Sequence, residues 1–217
     1  GAGQTLTALG SYWKGRKPLV LVRASLLGAL LPSTGDTEED LEVFELLMAM
    51  DDDAFVHRLK RVDVRDVEQW GQDLRAELLD ENGKWLVRGD ERKRLLGKVL
   101  GLMPYDMRLD KRSFRPEELP ESAYETIWPR VNAHLGTTAR THAELVEQLG
   151  VARFGHRPRV ADAFAGGGSV PFEAARIGCD VNASDLNPVA CLLTWGAFNI
   201  MGASEERQQA VREEQAR

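Results

Sequence analysis

Residues 160–190, VADAFAGGGSVPFEAARIGCDVNASDLNPVA, decide how this chain is read. The short run Val160 to Phe164 leads into a triple glycine, Gly166 to Gly168, then into Ser169 and an Ala-rich amphipathic segment. That order predicts strand, tight turn and helix. A second run, Asp180 to Ala183, precedes Asp185, and Asn187-Pro188 suits the cap and first residue of another helix. Together they predict a β-α-β-α unit whose strands are parallel and whose crossover is right-handed.

The glycines have a chemical reading. Where a strand turns into a helix, a ligand that must approach the backbone closely is blocked by any Cβ. Asp185 follows the first glycine by about 20 residues, the distance at which an acidic side chain at the tip of the second strand takes both hydroxyls of a ribose. The pair indicates an adenosine-containing cofactor. Charge then separates two candidates. A dinucleotide fingerprint wants glycine at position 171, where this chain has Pro171, and Asp162 before the loop repels a diphosphate. S-adenosylmethionine carries an ammonium and a sulfonium, so it fits better than NAD. The bland alternative is a Gly-rich loop between unrelated elements.

These residues carry a resemblance. Asp162-Ala163-Phe164-Ala165-Gly166-Gly167-Gly168-Ser169 resembles the first cofactor motif of class I methyltransferases, in the D-x-F-x-G-x-G form of DNA amino-methyltransferases. Ser184-Asp185-Leu186-Asn187-Pro188-Val189-Ala190 resembles the second, with its D-x-N-P-x-A ending. The resemblance implies that Asp162, Phe164 and the glycine loop hold the methionine end, Asp185 the ribose and Leu186 one face of the adenine. Further upstream, Tyr12-Trp13-Lys14-Gly15-Arg16-Lys17-Pro18 resembles the W-[WK]-x-[RG]-[RK]-x-P segment that opens a family of large adenine-specific DNA methylases of bacteria and archaea. By that likeness Trp13 and Arg16 reach the methionine carboxylate or DNA; a solvated basic patch ahead of a core helix is the alternative. Such enzymes place a catalytic [DNS]-P-P-[YFW] loop downstream of the cofactor motif, and often a zinc ribbon; neither occurs in this sequence.

The rest of the chain bounds the reading. Its 217 residues, 43% of them hydrophobic, suffice for one or two cores, and a net charge of −6 argues against coating nucleic acid by bulk charge. Cys179 and Cys191 read as small buried hydrophobes of a reduced, cytoplasmic protein, and the four histidines as surface or cap residues without ligand spacing. No metal site is expected. Leu19 to Leu31 is apolar but short and contains Arg23, which predicts a buried helix rather than a membrane span. Thr37 to Met50 reads as an amphipathic helix capped by Thr37, with Leu41, Phe44, Leu47 and Met48 on one face. Asp51 to Asp53 reads as a helix start or linker run, since consecutive carboxylates point in different directions, with binding of a divalent cation as the alternative. Further helices are expected over Ala54 to Leu79, Arg92 to Leu102, Ala123 to Leu135 (bent or restarted at Pro129) and Thr141 to about Gly150. Met103-Pro104-Tyr105-Asp106 is not accepted as a catalytic loop, because a proline is missing and the first residue is apolar. Lys111 to Pro116, with basic and aromatic residues interleaved, is a candidate for DNA phosphate contacts or an exposed connector.

The expected fold is therefore α/β: a mainly helical region over residues 1–152, then, over 153–217, the first β-α-β-α unit of a Rossmann-like methyltransferase sheet. A second polypeptide completes that sheet, since two parallel strands with uncovered apolar faces are not stable. The implied function is the S-adenosylmethionine-binding part of an adenine-N6 DNA methyltransferase, a kind often encoded beside phage-defence genes. Its partners are DNA and the completing chain, with no membrane, and it has no catalytic residue of its own. A non-catalytic cofactor-binding or scaffold subunit of a defence complex is the alternative; an NAD-type oxidoreductase is disfavoured by Pro171 and Asp162.

Overall fold

The computed structural model of the chain describes residues 18–108 and 112–201, with residues 206, 209, 210 and 213. Its contacts divide into two units, Pro32–Thr141 and the flanking residues up to Leu31 and from His142 onward. The described residues are mixed α/β and mostly helical, with a small two-stranded parallel sheet. No helix of the described residues is long and apolar enough to cross a membrane.

Helix α1 (Leu19–Leu30) starts directly after Pro18, whose carbonyl accepts from the N–H groups of Leu21 and Val22. It stops at Leu31, which is extended ahead of Pro32, the conformation a following proline enforces. Its buried side chains are Leu19, Val22, Arg23, Leu27 and Leu30.

The unit Pro32–Thr141 begins with α2 (Thr37–Leu47). Its cap is Asp36, whose Oδ1 accepts from Glu39 N at 3.1 Å, and not Thr37. Asp40 turns back instead to accept from the Thr34 N–H and hydroxyl at 3.0 and 2.8 Å. The buried side chains are Val43, Leu47 and, just past the helix, Met48, while the expected contact Leu41 is 56% exposed. The helical stretch expected over Ala54 to Leu79 is broken into α3 (Ala54–Arg58), α4 (Val64–Trp70), a 3-10 turn and α5 (Arg75–Leu78). The breaks have local causes: Leu59 is extended and bridges Ser113, and Asp63 forms a reciprocal capping box with Asp66 that starts a new helix. Asp51 accepts from Ala54 N at 3.1 Å, so the acidic run is a helix start.

Helix α6 (Gly89–Leu102) buries Leu95, Leu96, Val99 and Leu100, as its periodicity predicts. These pack with Phe55, Val67, Leu78 and Leu79 in the core of the unit. Gly97 allows that packing, because a Cβ there would stand 2.9 Å from Val56 Cγ2 and 3.0 Å from its backbone. A short helix, α7 (Tyr105–Arg108), follows Pro104. Helix α8 (Trp128–Leu135) begins afresh at Pro129 and ends at left-handed Gly136. Arg130 ties α8 to Glu39 and Glu42 of α2, and His134 Nε2 lies 2.7 Å from Asp40 Oδ1.

The stretch 112–116 packs against the rest of its unit. Arg112 pairs with the buried carboxylate of Asp66 at 2.7 Å, Ser113 is buried, and the Phe114 carbonyl accepts from Arg58 Nε at 3.0 Å. These bonds tie Arg112 and Ser113 to their unit, while Phe114 is itself exposed; Lys111 lies outside the described residues.

In the other unit, α9 (His142–Phe154) leads to β1 (Arg159–Asp162), α10 (Ser169–Arg176), β2 (Asp180–Ala183) and α11 (Pro188–Gly196), which continues as a π-helical turn over Ala197–Met201. The strands are parallel, with Val160 opposite Val181 and Asp162 opposite Ala183. β1 is shorter than the apolar run suggested, because the chain leaves it at Asp162 to make the glycine turn. Two side chains correct the sequence reading: His142 is buried, while Cys191 is exposed. Helix α1 packs on α10 and α9, so it belongs with the sheet rather than with the helices that follow it in sequence. The cross-link between α1 and α10 is ionic: Arg23 Nε donates to Glu173 Oε1 at 2.6 Å, with both side chains buried, and Arg176 reaches the other oxygen at 3.1 Å.

Candidate functional site

The glycine turn is built by backbone hydrogen bonds at the carboxyl ends of the two strands. Ser184 N donates to Asp162 O at 2.9 Å and Ala165 N to Ser184 O at 3.0 Å, which carries the pairing beyond both strands. Gly168 N then closes on Ala165 O at 2.7 Å. Gly166 and Gly168 have φ of 51° and 75°, the left-handed region that favours glycine. A Cβ on Gly168 would also stand 3.1 Å from Thr194 Oγ1 of α11. Gly167 differs. Its φ is not positive and a Cβ on it would meet nothing within 4 Å, so neither backbone conformation nor internal packing calls for glycine there.

Asp185 ties the loop after β1 to the loop after β2. Its Oδ2 accepts from Gly166 N at 2.8 Å and its Oδ1 from Asn187 N at 2.8 Å. These bonds, the one from Asn187 first and that from Gly166 next, hold its carboxyl below the usual carboxylate range. It is therefore ionised at neutral pH. Asp162 Oδ1 accepts from Phe164 N at 3.1 Å. Asn187 caps α11 by accepting from Val189 N at 3.0 Å, with Pro188 in the first turn, as the sequence predicts.

The structure thus brings Asp162, Gly166, Gly168 and Asp185 together through the hydrogen bonds of the two loops, with Gly167 between the two bonded glycines. Phe164 and Leu186 flank it as apolar side chains that are 78% and 90% exposed. Trp13 and Arg16 lie outside the described residues. Beside Asp185 an open cleft of about 510 Å³ runs along β2 and α11, lined among others by Val181, Ala183, Cys191, Thr194, Trp195 and Phe198. The Thr194 hydroxyl oxygen is buried there without a hydrogen-bond partner. Cys191 donates its thiol to Asp185 O at 3.3 Å, whereas burial pushes the Cys179 thiol up to about 11. The α11 lining residues were not foreseen as site residues: their helix was read only as an apolar run. Among the described residues no group of His, Cys, Asp or Glu is arranged to hold a metal ion.

Residues 1–47 match a family model described as "Protein of unknown function (DUF1156)". No curated protein and no solved structure matches the chain.

Proposed function

We propose that the chain is the S-adenosylmethionine-binding part of a class I methyltransferase acting on the exocyclic amine of adenine in DNA. The observation that carries the reading is the bare backbone at Gly167 beside an oriented, ionised Asp185. Folding explains Gly166 and Gly168; a ligand lying against the loop explains Gly167. The residues fit the group: Asp185 would accept from ribose hydroxyls, Asp162 would attract the ammonium, and Leu186 and Phe164 offer apolar surface to an adenine and to the methionine chain. When bound, the cofactor supplies a methyl group activated by a sulfonium. This chain's residues would bind and orient, and none of them is needed as acid or base.

Completion of the sheet by further polypeptide belongs to the same proposal. The outward face of the strands, formed by Arg159, Ala161, Asp180 and Asn182, is exposed, and a two-stranded sheet of four-residue strands is marginal alone. In this reading the unit is the start of a Rossmann-like sheet, and the added part brings the loop that holds the flipped base.

Calorimetric titration of S-adenosylmethionine into the chain, alone and with co-purifying protein, tests this against NAD. The expected result is binding of S-adenosylmethionine only, weakened at least tenfold by Asp185→Ala. Binding of NAD instead, or no binding in either state, refutes it.

A further inference from the structure

The unit Pro32–Thr141 carries a charge feature that the cofactor reading does not use. Two shallow clefts of about 450 and 490 Å³ share Arg61, Val62, Asp63 and Arg92, and so form one groove between the α3–α4 connection and the start of α6. Its charged lining is Lys60, Arg61, Arg65, Arg92 and Lys93 against the single carboxylate of Asp63. In a chain of net charge −6 this is a local reversal of sign. Asp63 is already engaged, accepting from Arg61 Nε at 2.9 Å and capping α4. Arg65, Arg92 and Lys93 have no carboxylate within ion-pair distance among the described residues. Asp90 and Glu91, in the first turn of α6, do not line the groove.

Two of the cations are held by rings. The Arg92 guanidinium stands 4.0 Å from the Trp85 ring centre, and the Lys60 ammonium 4.6 Å from that of Phe114, with Glu118 3.4 Å away. An aromatic face fixes a cation without cancelling its charge, whereas a carboxylate does both. The groove is therefore a row of partly immobilised and mostly uncancelled positive charges, the arrangement that neutralises successive phosphates. The same rings decide between polyanions. Each has a cation over one face, an arrangement that suits contact with a phosphate backbone better than base stacking or insertion into a lipid surface.

We propose that this groove binds the phosphodiester backbone of duplex DNA, independently of any cofactor in the other unit. The test is fluorescence anisotropy of a short fluorescein-labelled duplex, titrated with the whole chain at several salt concentrations. Arg65→Gln/Arg92→Gln/Lys93→Gln should bind at least tenfold more weakly. Its slope of log K against log salt should be shallower by about 2.7, three contacts at about 0.9 each. Arg65→Gln and Lys93→Gln singly, both at exposed positions, should each weaken binding in a folded protein. Arg94→Gln/Lys98→Gln, which removes two charges from α6 outside the groove, should leave affinity within about twofold. Absence of duplex binding overturns the proposal, as does equal loss from the Arg94/Lys98 variant, which would mean bulk charge. Preference of the wild-type chain for single strands or phosphatidylserine vesicles overturns it too.

Discussion

Replacing Glu173 by methionine removes one carboxylate that serves two cations, and the expected cost can be worked from its surroundings. The side chain is fully buried and Arg23 opposite is 6% exposed, so water cannot take over from either partner. Breaking a buried pair from one side costs about 3–5 kcal/mol, because the surviving charge loses its counter-charge where water cannot replace it. Arg23→Met should cost less than Glu173→Met, since Glu173 keeps Arg176 at 3.1 Å, on a side chain that is a third exposed. Removing both charges together, as Arg23→Met/Glu173→Met, should return stability to within about 1–2 kcal/mol of the wild type, apolar groups of similar volume being tolerated at such sites. Urea denaturation followed by circular dichroism reads this directly. With an m-value of about 2 kcal/mol per molar, Glu173→Met shifts the midpoint down by about 1.5–2.5 M. If that variant is unfolded in water, recovery of the fold in the double variant gives the same answer. A Glu173→Met cost below about 1 kcal/mol, or additive single and double losses, would refute the reasoning.

Three further outcomes are expected. Gly168→Ala should lower stability by about 1–2 kcal/mol, from its left-handed φ and the approach to Thr194, while Gly167→Ala should leave the melting temperature nearly unchanged and reduce S-adenosylmethionine affinity. At Asp66, burial alone would raise the carboxyl, but hydrogen bonds from Arg112 and the Asp63 N–H outweigh it and hold the group below the usual range. A lowered folded value means stability that is present above the unfolded value of about 3.9 and lost as pH falls through the folded one. The melting-temperature gap between wild type and Asp66→Asn should therefore be constant near neutrality and close below about pH 4. Iodoacetamide at neutral pH should modify Cys191, which is exposed, and spare buried Cys179, as read by peptide mass spectrometry.

The sheet unit was legible because its signals are local. A triple glycine fixes the turn, Asn187-Pro188 fixes the start of α11, and two short runs of suitable residues fix the strands. Helix α6 was legible for the same reason, its buried residues following one helical period. Where the reading slipped, a competing local bond or a distant contact decided. Asp36 out-competed Thr37 as the cap of α2, and the buried face is the one that carries Val43 and Leu47; Leu41, two residues before Val43, lies about 160° round the helix and is exposed. The break at Leu59 depends on Ser113, which no window around residue 59 contains. Arg112 looked like a free cation because Asp66, its partner, is 46 residues away. Within the site, Asp162 and Asp185 were chosen for their spacing, but the double amide clamp on Asp185 needs the two loops in register.

The attachment of α1 to α10 has a consequence for synthesis. Arg23 emerges from the ribosome 150 residues before Glu173, with the whole of Pro32–Thr141 made in between. At about 5–20 residues per second that is a delay of roughly 10–30 s, during which α1 lacks α10, its main packing partner. The intervening unit has its own core and can fold in that interval, but α1 cannot. The region matched by the DUF1156 model is thus a unit of sequence and not of folding: the packing of its helix α1 is completed only when the helix after the glycine loop has been made.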